Sequence, residues 1–300
     1  MLILYRFLIN FTFILSPLII LIRLLKKKED INRFKEKLGL FSKKKIGGNL
    51  IWFHGASVGE ITSIVPLLEK FEKNKKVRQI LITSNTLSST NIIKSLKLKK
   101  VIHQFFPIDT NFISKKFINY WQPKKAFFID SEIWPNTILN LKEKKIPIIL
   151  INGRITKKSF NRWRLAPGFA EKIFNNFNLC LSSSNESFRY LKALKAKNIK
   201  LIGNLKFSQT ENTNTPIDKA TKNFVRSRKT WCASSTHNTE EIFCGLVHLG
   251  LKKKIKNLLT IIIPRHVERV DDIKKDLVNL KLKVHTHLPK KKYLKIQIYI

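Results

Sequence analysis

From about residue 49 onward, short apolar runs alternate with longer amphipathic stretches. NLIWFHG (49–55), QILITSN (79–85), VIHQFFPI (101–108), KKAFFID (124–130), PIILING (147–153) and LCLSSS (179–184) read as buried strands. They are short, rich in β-branched and aromatic residues, and bounded by turn formers. The segments between them have helical length and polarity, for example ITSIVPLLEKFEK (61–73) and WPNTILNLKEKK (134–145). Such alternation predicts an α/β fold, a parallel sheet with helices on both faces. The polar stretch SQTENTNTP (208–216) has no apolar periodicity and predicts a linker. A second series then starts with KTWCASS (229–235), a helix from about His237, LLTIIIP (258–264) and a helix from about Val267. LKVHTH (282–287) and QIYI (297–300) read as further strands.

The N-terminus follows another pattern. Phe7 to Ile22 carry no charge, Arg6 precedes them, and Arg23, Lys26, Lys27 and Lys28 follow. The run is slightly short for the ~20 apolar residues that span a bilayer, and no A-x-A-like cleavage site follows it. Its readings are an uncleaved anchor, spanning or interfacial, or the buried first helix of a soluble domain. The excess of positive charge after the segment places the body on the cytoplasmic side.

Composition adds one question. Lys plus Arg number 58 against 20 Asp plus Glu, a net charge of +38 over 300 residues. The basic balance fits a nucleic acid, an anionic lipid surface or an anionic substrate. AT-rich coding drift would also produce it, because the lysines are spread along the chain. A nucleic-acid binder is disfavoured because most aromatics sit in strand-like runs. Three scattered cysteines without a C-x-x-C exclude a disulfide framework and a Cys-based zinc site. His54, His103, His237 and His266 lack metal-ligand spacing, so no metal is expected. There is no G-x-G-x-x-G, Walker A or G-x-S-x-G.

Ligands of open α/β sheets bind at the carboxyl ends of the strands, and here those ends carry functional groups. His54-Gly55-Ala56-Ser57-Val58-Gly59-Glu60 combines small residues with a carboxylate at a helix entrance. Glu60 is placed either to take a proton from a substrate hydroxyl or to serve as a plain helix-start Glu. Asp130 and Glu132 follow the strand 124–130 in DSEIWPN, with capping of the next helix as the bland alternative. Asn152-Gly153-Arg154 looks like an anion-binding turn. Gly203-Asn204-Leu205-Lys206-Phe207 lies at the seam between domains. Ser234-Ser235-Thr236-His237 opens a helix with Glu240 and Glu241 in its first turn. Pro264-Arg265 ends an apolar strand, with Arg265 suited to a phosphate.

Taken in order, FHGASVGE (53–60), DSEIWPN (130–136), INGRITKKS (151–159), GNLKF (203–207), ASSTHNTEE (233–241) and PRHVER (264–269) resemble the 3-deoxy-D-manno-octulosonic acid (Kdo) transferases of Gram-negative bacteria. The resemblance covers essentially the whole chain. It implies a GT-B pair of Rossmann-like domains and an inverting transfer of Kdo from CMP-Kdo to the lipid A precursor. The expected sites are the cytoplasmic side of the inner membrane and no cofactor or metal. The implied organisation is an anchor at 1–28, an acceptor domain at 29–207, a linker at 208–217 and a partial nucleotide-sugar domain at 218–300. Glu60 falls on the family's catalytic base, and Asp130 and Lys206 on positions of transition-state support. Ser57, Gly59, Glu132, Asn152 and Arg154 are implied in substrate binding, and Pro264 and Arg265 in contacts to CMP. Asp130, where the family prefers Glu, and Val267, where it has Pro, are departures. The family continues with a D-T-x-G-E-like and a G-G-H-N-x-x-E-P-like segment past the place where this sequence stops. On that basis the resemblance implies a fragment or a truncated gene product, with LLTIIIP (258–264) partly uncovered. A catalytically inactive remnant that binds the lipid A precursor is the alternative activity.

Overall fold

The computed structural model describes residues 1–26, 28–205, 219–286 and 298–299. The chain divides into two compact units, Met1–Asn212 and Thr213–Ile300. The first begins with α1 (Leu2–Leu25) and a 3-10 turn, Phe34–Leu38. It continues through β1 (Leu50–His54), α2 (Val58–Ser63), α3 (Val65–Lys73), β2 (Gln79–Ser84), α4 (Leu87–Ser95) and β3 (Val101–Phe105). Then come α5 (Asn111–Trp121), β4 (Lys125–Ile129), α6 (Pro135–Glu143), β5 (Ile148–Gly153), α7 (Lys157–Arg164) and α8 (Pro167–Phe174). The unit closes with β6 (Leu179–Ser182), α9 (Asn185–Ala193) and β7 (Ile199–Leu201).

All seven strands are parallel, in the order β3-β2-β1-β4-β5-β6-β7. Every residue of β1 and β2 is buried, which explains why these strands read as continuous apolar runs rather than alternating ones. Successive side chains go to opposite faces. Trp52 joins Phe128, Leu150 and Phe177 on one side, while Phe53 joins Phe127, Ile82 and Ile151 on the other. Phe53 and Phe127 stack with centroids 4.7 Å apart. The winding direction reverses between β1 and β4, and this switch point is where such sheets open a crevice.

Several boundaries differ from the sequence reading. The helix expected over 61–73 is two helices, α2 and α3, separated at Ile64. Pro66 lies in the first turn of α3, where its missing N–H costs nothing, whereas inside one continuous helix it would remove a bond. The strand expected over 101–108 ends at Phe105, and β7 was not anticipated. The first helix is long and apolar enough to cross a membrane by length and composition. It is not a buried helix: only Ser16 and Ile20 are buried in it.

The second unit comprises α10 (Lys219–Arg226), β8 (Lys229–Thr236), α11 (Glu240–Lys252), β9 (Leu258–Pro264) and a 3-10 turn, Val267–Arg269. α12 (Val270–Asn279), β10 (Val284–His285) and β11 (Ile298–Tyr299) follow. Its sheet is parallel, in the order β10-β11-β9-β8. The helix expected from His237 starts at Glu240, because Thr239 at its N-cap takes a left-handed φ of 77° that interrupts helical geometry. The expectation that LLTIIIP (258–264) is uncovered fails for most of it. β9 is paired on both sides, by β8 and β11, and Leu258, Leu259, Thr260 and Ile262 are buried. Ile263 is the exposed residue of the run. The linker at 208–217 lies outside the described residues.

Candidate active site

The loops that leave β1, β4 and β5 meet at the switch point of the first sheet. After β1, Gly55 is the residue that permits the turn. A Cβ there would lie 3.0 Å from Ile129 and 3.2 Å from both Glu60 and Ile61. Ser57 is the N-cap of α2, accepting weakly from the Glu60 N–H at 3.4 Å. Its hydroxyl donates to Glu60 Oε1 at 2.9 Å, and the Ala56 N–H donates to Glu60 Oε2 at 2.7 Å. This is a variant of the capping box in which the carboxylate takes the N–H of the residue before the N-cap, with Gly59 inside the helix's first turn. The helix-start reading of Glu60 is therefore realised, yet the carboxylate is not ordinary. Burial, then the charge of Glu132, push its pKa up to about 7 against the opposing bonds from Ala56 and Ser57. Asp130 adds a smaller push in the same direction.

Glu132 is tuned the other way. Nε2–H of the fully buried His54 donates to Glu132 Oε2 at 3.1 Å, and the Trp134 indole N–H donates to the same oxygen at 2.8 Å. Burial raises the Glu132 carboxyl, but the His54 hydrogen bond and charge, with Trp134, outweigh it and hold it below its ordinary value. The other His54 nitrogen lies 2.9 Å from Thr83 Oγ1, and the ring stacks on Phe106 at 3.9 Å. Two carboxylates that feel each other therefore have pKa values driven apart, the arrangement that separates a base from a permanent anion.

Asp130 and Asn152 follow or end adjacent strands, and both hold left-handed backbone, with φ of 56° and 55°. Asn and Asp tolerate this region better than other non-glycine residues. The Asn152 amide donates to Asp130 Oδ1, and its oxygen accepts from the Leu205 N–H at 3.0 Å. The Arg154 N–H donates to the Asp130 carbonyl at 3.1 Å. Asp130, Asn152 and Arg154 line a cavity of about 380 Å³ with Thr156, Ser183 and Ser184. Lys206 lies outside the described residues.

In the second unit, Pro264 ends β9, and the exposed Arg265 donates its N–H to the Thr236 carbonyl at 3.1 Å. The two strand-end loops are joined by a clasp. Arg269 donates from both terminal nitrogens to the Glu241 carboxylate, at 3.2 and 3.1 Å, and Thr236 donates to the same carboxylate at 2.9 Å. Burial raises the Glu241 pKa, but Arg269 and Thr236 outweigh it and keep it low.

The structure thus gathers Ser57, Gly59, Glu60, Asp130, Glu132, Asn152 and Arg154 at one edge of the first sheet. Pro264 and Arg265 belong to the other unit. Sequence reasoning missed His54 as the partner of Glu132. The available signal was its place as the last residue of a strand that is apolar elsewhere. It also missed Asp109, a fully buried carboxylate between β3 and α5. The backbone N–H groups of Asn136 and Thr137 donate to it at 2.9 and 2.8 Å, and it receives the Tyr5 hydroxyl at 2.7 Å. These partners are 27, 28 and 104 residues away, beyond any local pattern.

A family model described as 3-deoxy-D-manno-octulosonic-acid transferase (kdotransferase) matches residues 32–209. The 3-deoxy-D-manno-octulosonic acid transferase of Rickettsia bellii is 34% identical over 277 residues, covering 90% of this chain and 65% of the relative. That of Haemophilus influenzae is 29% identical over 223 residues, covering 73% and 52%. The chain spans about half to two thirds of the length of these curated relatives. Among solved structures, the UDP-GlcNAc 2-epimerase of Neisseria meningitidis superposes with a TM-score of 0.54 at 16% identity, covering 84% of this chain and 76% of that one. A further UDP-N-acetylglucosamine 2-epimerase gives 0.56 at 10% identity, covering 79% and 66%. At such identities the likeness concerns the fold, a parallel-sheet α/β architecture of the GT-B kind.

Proposed function

The chain belongs to the 3-deoxy-D-manno-octulosonic acid transferase family, and from that premise we propose that it moves Kdo from CMP-Kdo to a hydroxyl of the lipid A precursor. The proposed setting is the cytoplasmic face of a bacterial inner membrane, in lipopolysaccharide assembly. Glu60 is the base. It takes the proton of the acceptor hydroxyl as that oxygen bonds to the anomeric carbon of Kdo. The bond from that carbon to the CMP phosphate breaks with its electron pair, and the configuration inverts. No metal or other cofactor is invoked.

The observation that carries this reading is the environment of Glu60. A carboxylate with a pKa near 7 is a stronger base than a free one and is still substantially ionised at neutral pH. Glu132, held anionic by His54 and Trp134, sustains the raised basicity of Glu60. Ser57, Gly59 and Glu132 stand where the acceptor sugar would meet Glu60. Asn152 and Arg154 border the cavity beside them, in reach of the acceptor's polar groups. Asp130, fixed by Asn152, and Lys206 are assigned to stabilising charge in the transition state. In the second unit, Pro264 and Arg265 are assigned to CMP, with the Glu241–Arg269 clasp holding their turn.

The direct test is a transfer assay on the full chain in detergent, with CMP-Kdo and lipid A precursor, read by mass spectrometry. The expected result is a product heavier by Kdo, abolished by Glu60→Gln while acceptor binding persists. Near-normal transfer by Glu60→Gln would remove Glu60 from the mechanism. Acceptor binding without transfer by the unaltered chain would favour the binding-only alternative.

A further inference from the structure

Tyr5, Ile9, Phe13, Ser16, Ile20 and Arg23 of α1 are all wholly or partly covered, at spacings of four, four, three, four and three residues. That spacing is a single stripe running the length of a helix. Its 24 residues extend over about 36 Å, so the helix lies along the first unit rather than projecting from it. Both ends are fastened. At the start, the Tyr5 hydroxyl donates to Asp109, and the Arg6 guanidinium donates to Asn136 Oδ1 at 2.9 Å and Asn111 Oδ1 at 3.3 Å. At the far end, Arg23 pairs with the buried Glu29, which also receives Lys37 Nζ at 2.6 Å. Lys37 is itself tied to the loops after β2 and β3, donating to the Asn85 carbonyl and accepting from the Ile108 N–H. These loops, and that before Asn136, leave the same edge of the sheet that carries Glu60 and Asp130.

The remaining circumference of α1 is exposed and, apart from Asn10 and Thr12, apolar, with Ile3 at 85%, Ile14 at 72% and Leu25 at 77%. The apolar surface does not stop at the helix. Phe112, next to the Asn111 that holds Arg6, is 76% exposed. Leu165, 83% exposed, lies between Trp163 and Phe169, and the ring of Phe169 meets Tyr5 at 6.3 Å. Basic side chains adjoin these apolar residues in the chain: Arg23, Lys26 and Lys28 at the end of α1, Arg162 and Arg164 of α7 beside Trp163 and Leu165. A large apolar patch with cationic neighbours is complementary to a bilayer with anionic headgroups.

We propose that α1 does not cross the membrane but lies in its plane, forming with Phe112 and Leu165 one lipid-seating surface that holds the site-bearing edge of the sheet against the bilayer. This rests on the membrane reading above and specifies its geometry. A crossing helix needs its ends on opposite sides of about 30 Å of hydrocarbon, whereas both ends of α1 are bonded to one folded body. A lipid acceptor would then reach Glu60 from the surface it already occupies.

Spin labels at Ile3, Ile14 and Leu25, each on a chain with Cys180, Cys232 and Cys244 replaced, test this with phosphatidylcholine–phosphatidylglycerol vesicles. The expected depths are alike and shallow, about 5–10 Å below the headgroups. A label at Ile14 near the midplane, with Ile3 and Leu25 at opposite headgroup layers, would overturn the proposal and leave membrane attachment standing. Sedimentation with vesicles but no immersion of any label would overturn it in favour of another cover for α1, such as a second copy. Failure to sediment with vesicles at all would remove both readings. On the otherwise unaltered chain, Phe112→Ser with Leu165→Ser should weaken vesicle partition about tenfold, whereas a crossing helix predicts no change. Both side chains are exposed, so the substitutions spare the core.

Discussion

In the first unit the parallel sheet is packed on both faces, by the cluster of Trp52 and Phe128 on one side and of Phe53 and Phe127 on the other. In the second, among the described residues, a cluster around Ile262, Ile273 and Leu277 covers one face, while on the other Leu259 is buried and Thr230, Cys232 and Ser234 of β8 and Ile263 of β9 are exposed. The strand-end carboxylates follow this difference. Glu60 stands where packing is deep enough to raise its pKa to about 7. Glu241, at the matching place after β8, is buried but bound by Arg269 and held low. A two-sided core can keep an acid desolvated and responsive. At Glu241 an ion pair does the holding, and the result is a fixed loop instead.

Four measurements sharpen or break this contrast. The largest effect is expected from Glu60→Gln, which should slow transfer by roughly 10²–10⁴-fold. Glu241→Gln should act instead on nucleotide affinity, and equal rate losses from both would erase the distinction. Next, Trp52→Ala should cost about 3–5 kcal/mol in urea unfolding, as large buried aromatics do. Trp231→Ala, on the half-covered β8, should cost less than half of that, and equal costs would show equally deep cores.

Third, Arg269→Ala strands the Glu241 carboxylate and should destabilise by about 3 kcal/mol at neutral pH. Because the folded pKa of Glu241 is lowered, its stabilisation is present above the ordinary carboxylate range and lost as pH falls. The variant should therefore converge with the parent in acid, and a constant gap at all pH would rule out the ion pair. The fourth effect has the opposite sign. Glu60 is raised from 4.5 to about 7, so the folded state binds its proton more tightly and stability declines as pH rises through that window. Glu60→Gln should flatten this slope. Transfer should instead rise with pH up to about 7, as the base ionises, and level off above.

The strands of the first unit were legible because two-sided burial writes itself as uninterrupted apolar runs, as in Leu50–His54 and Gln79–Ser84. The site loops were legible because small and polar residues at a strand end have no packing role to explain them. What escaped depends on distance or on backbone. β7 is three residues at a sheet edge, half-covered or exposed, and carries no periodic signal. The break at Ile64 follows from Pro66 in the first turn of α3 rather than from the apolar pattern, and the late start of α11 at Glu240 from the left-handed φ of Thr239. His54 meets Glu132 across 78 residues through the pairing of β1 with β4, and Asp109 meets Tyr5 across 104 through the docking of α1.

The capping box around Glu60 implies something about selection for heat resistance. At position 60 the substitution Glu60→Gln keeps an oxygen for the Ala56 N–H and offers an N–H to the Ser57 hydroxyl, so the cap survives while the buried charge disappears. A library of this chain screened for melting temperature alone should enrich that replacement, and its most robust members would be mute in transfer. Fitness for survival and fitness for chemistry diverge at this one carboxylate, and a thermal screen needs an activity screen beside it to keep the residue in place.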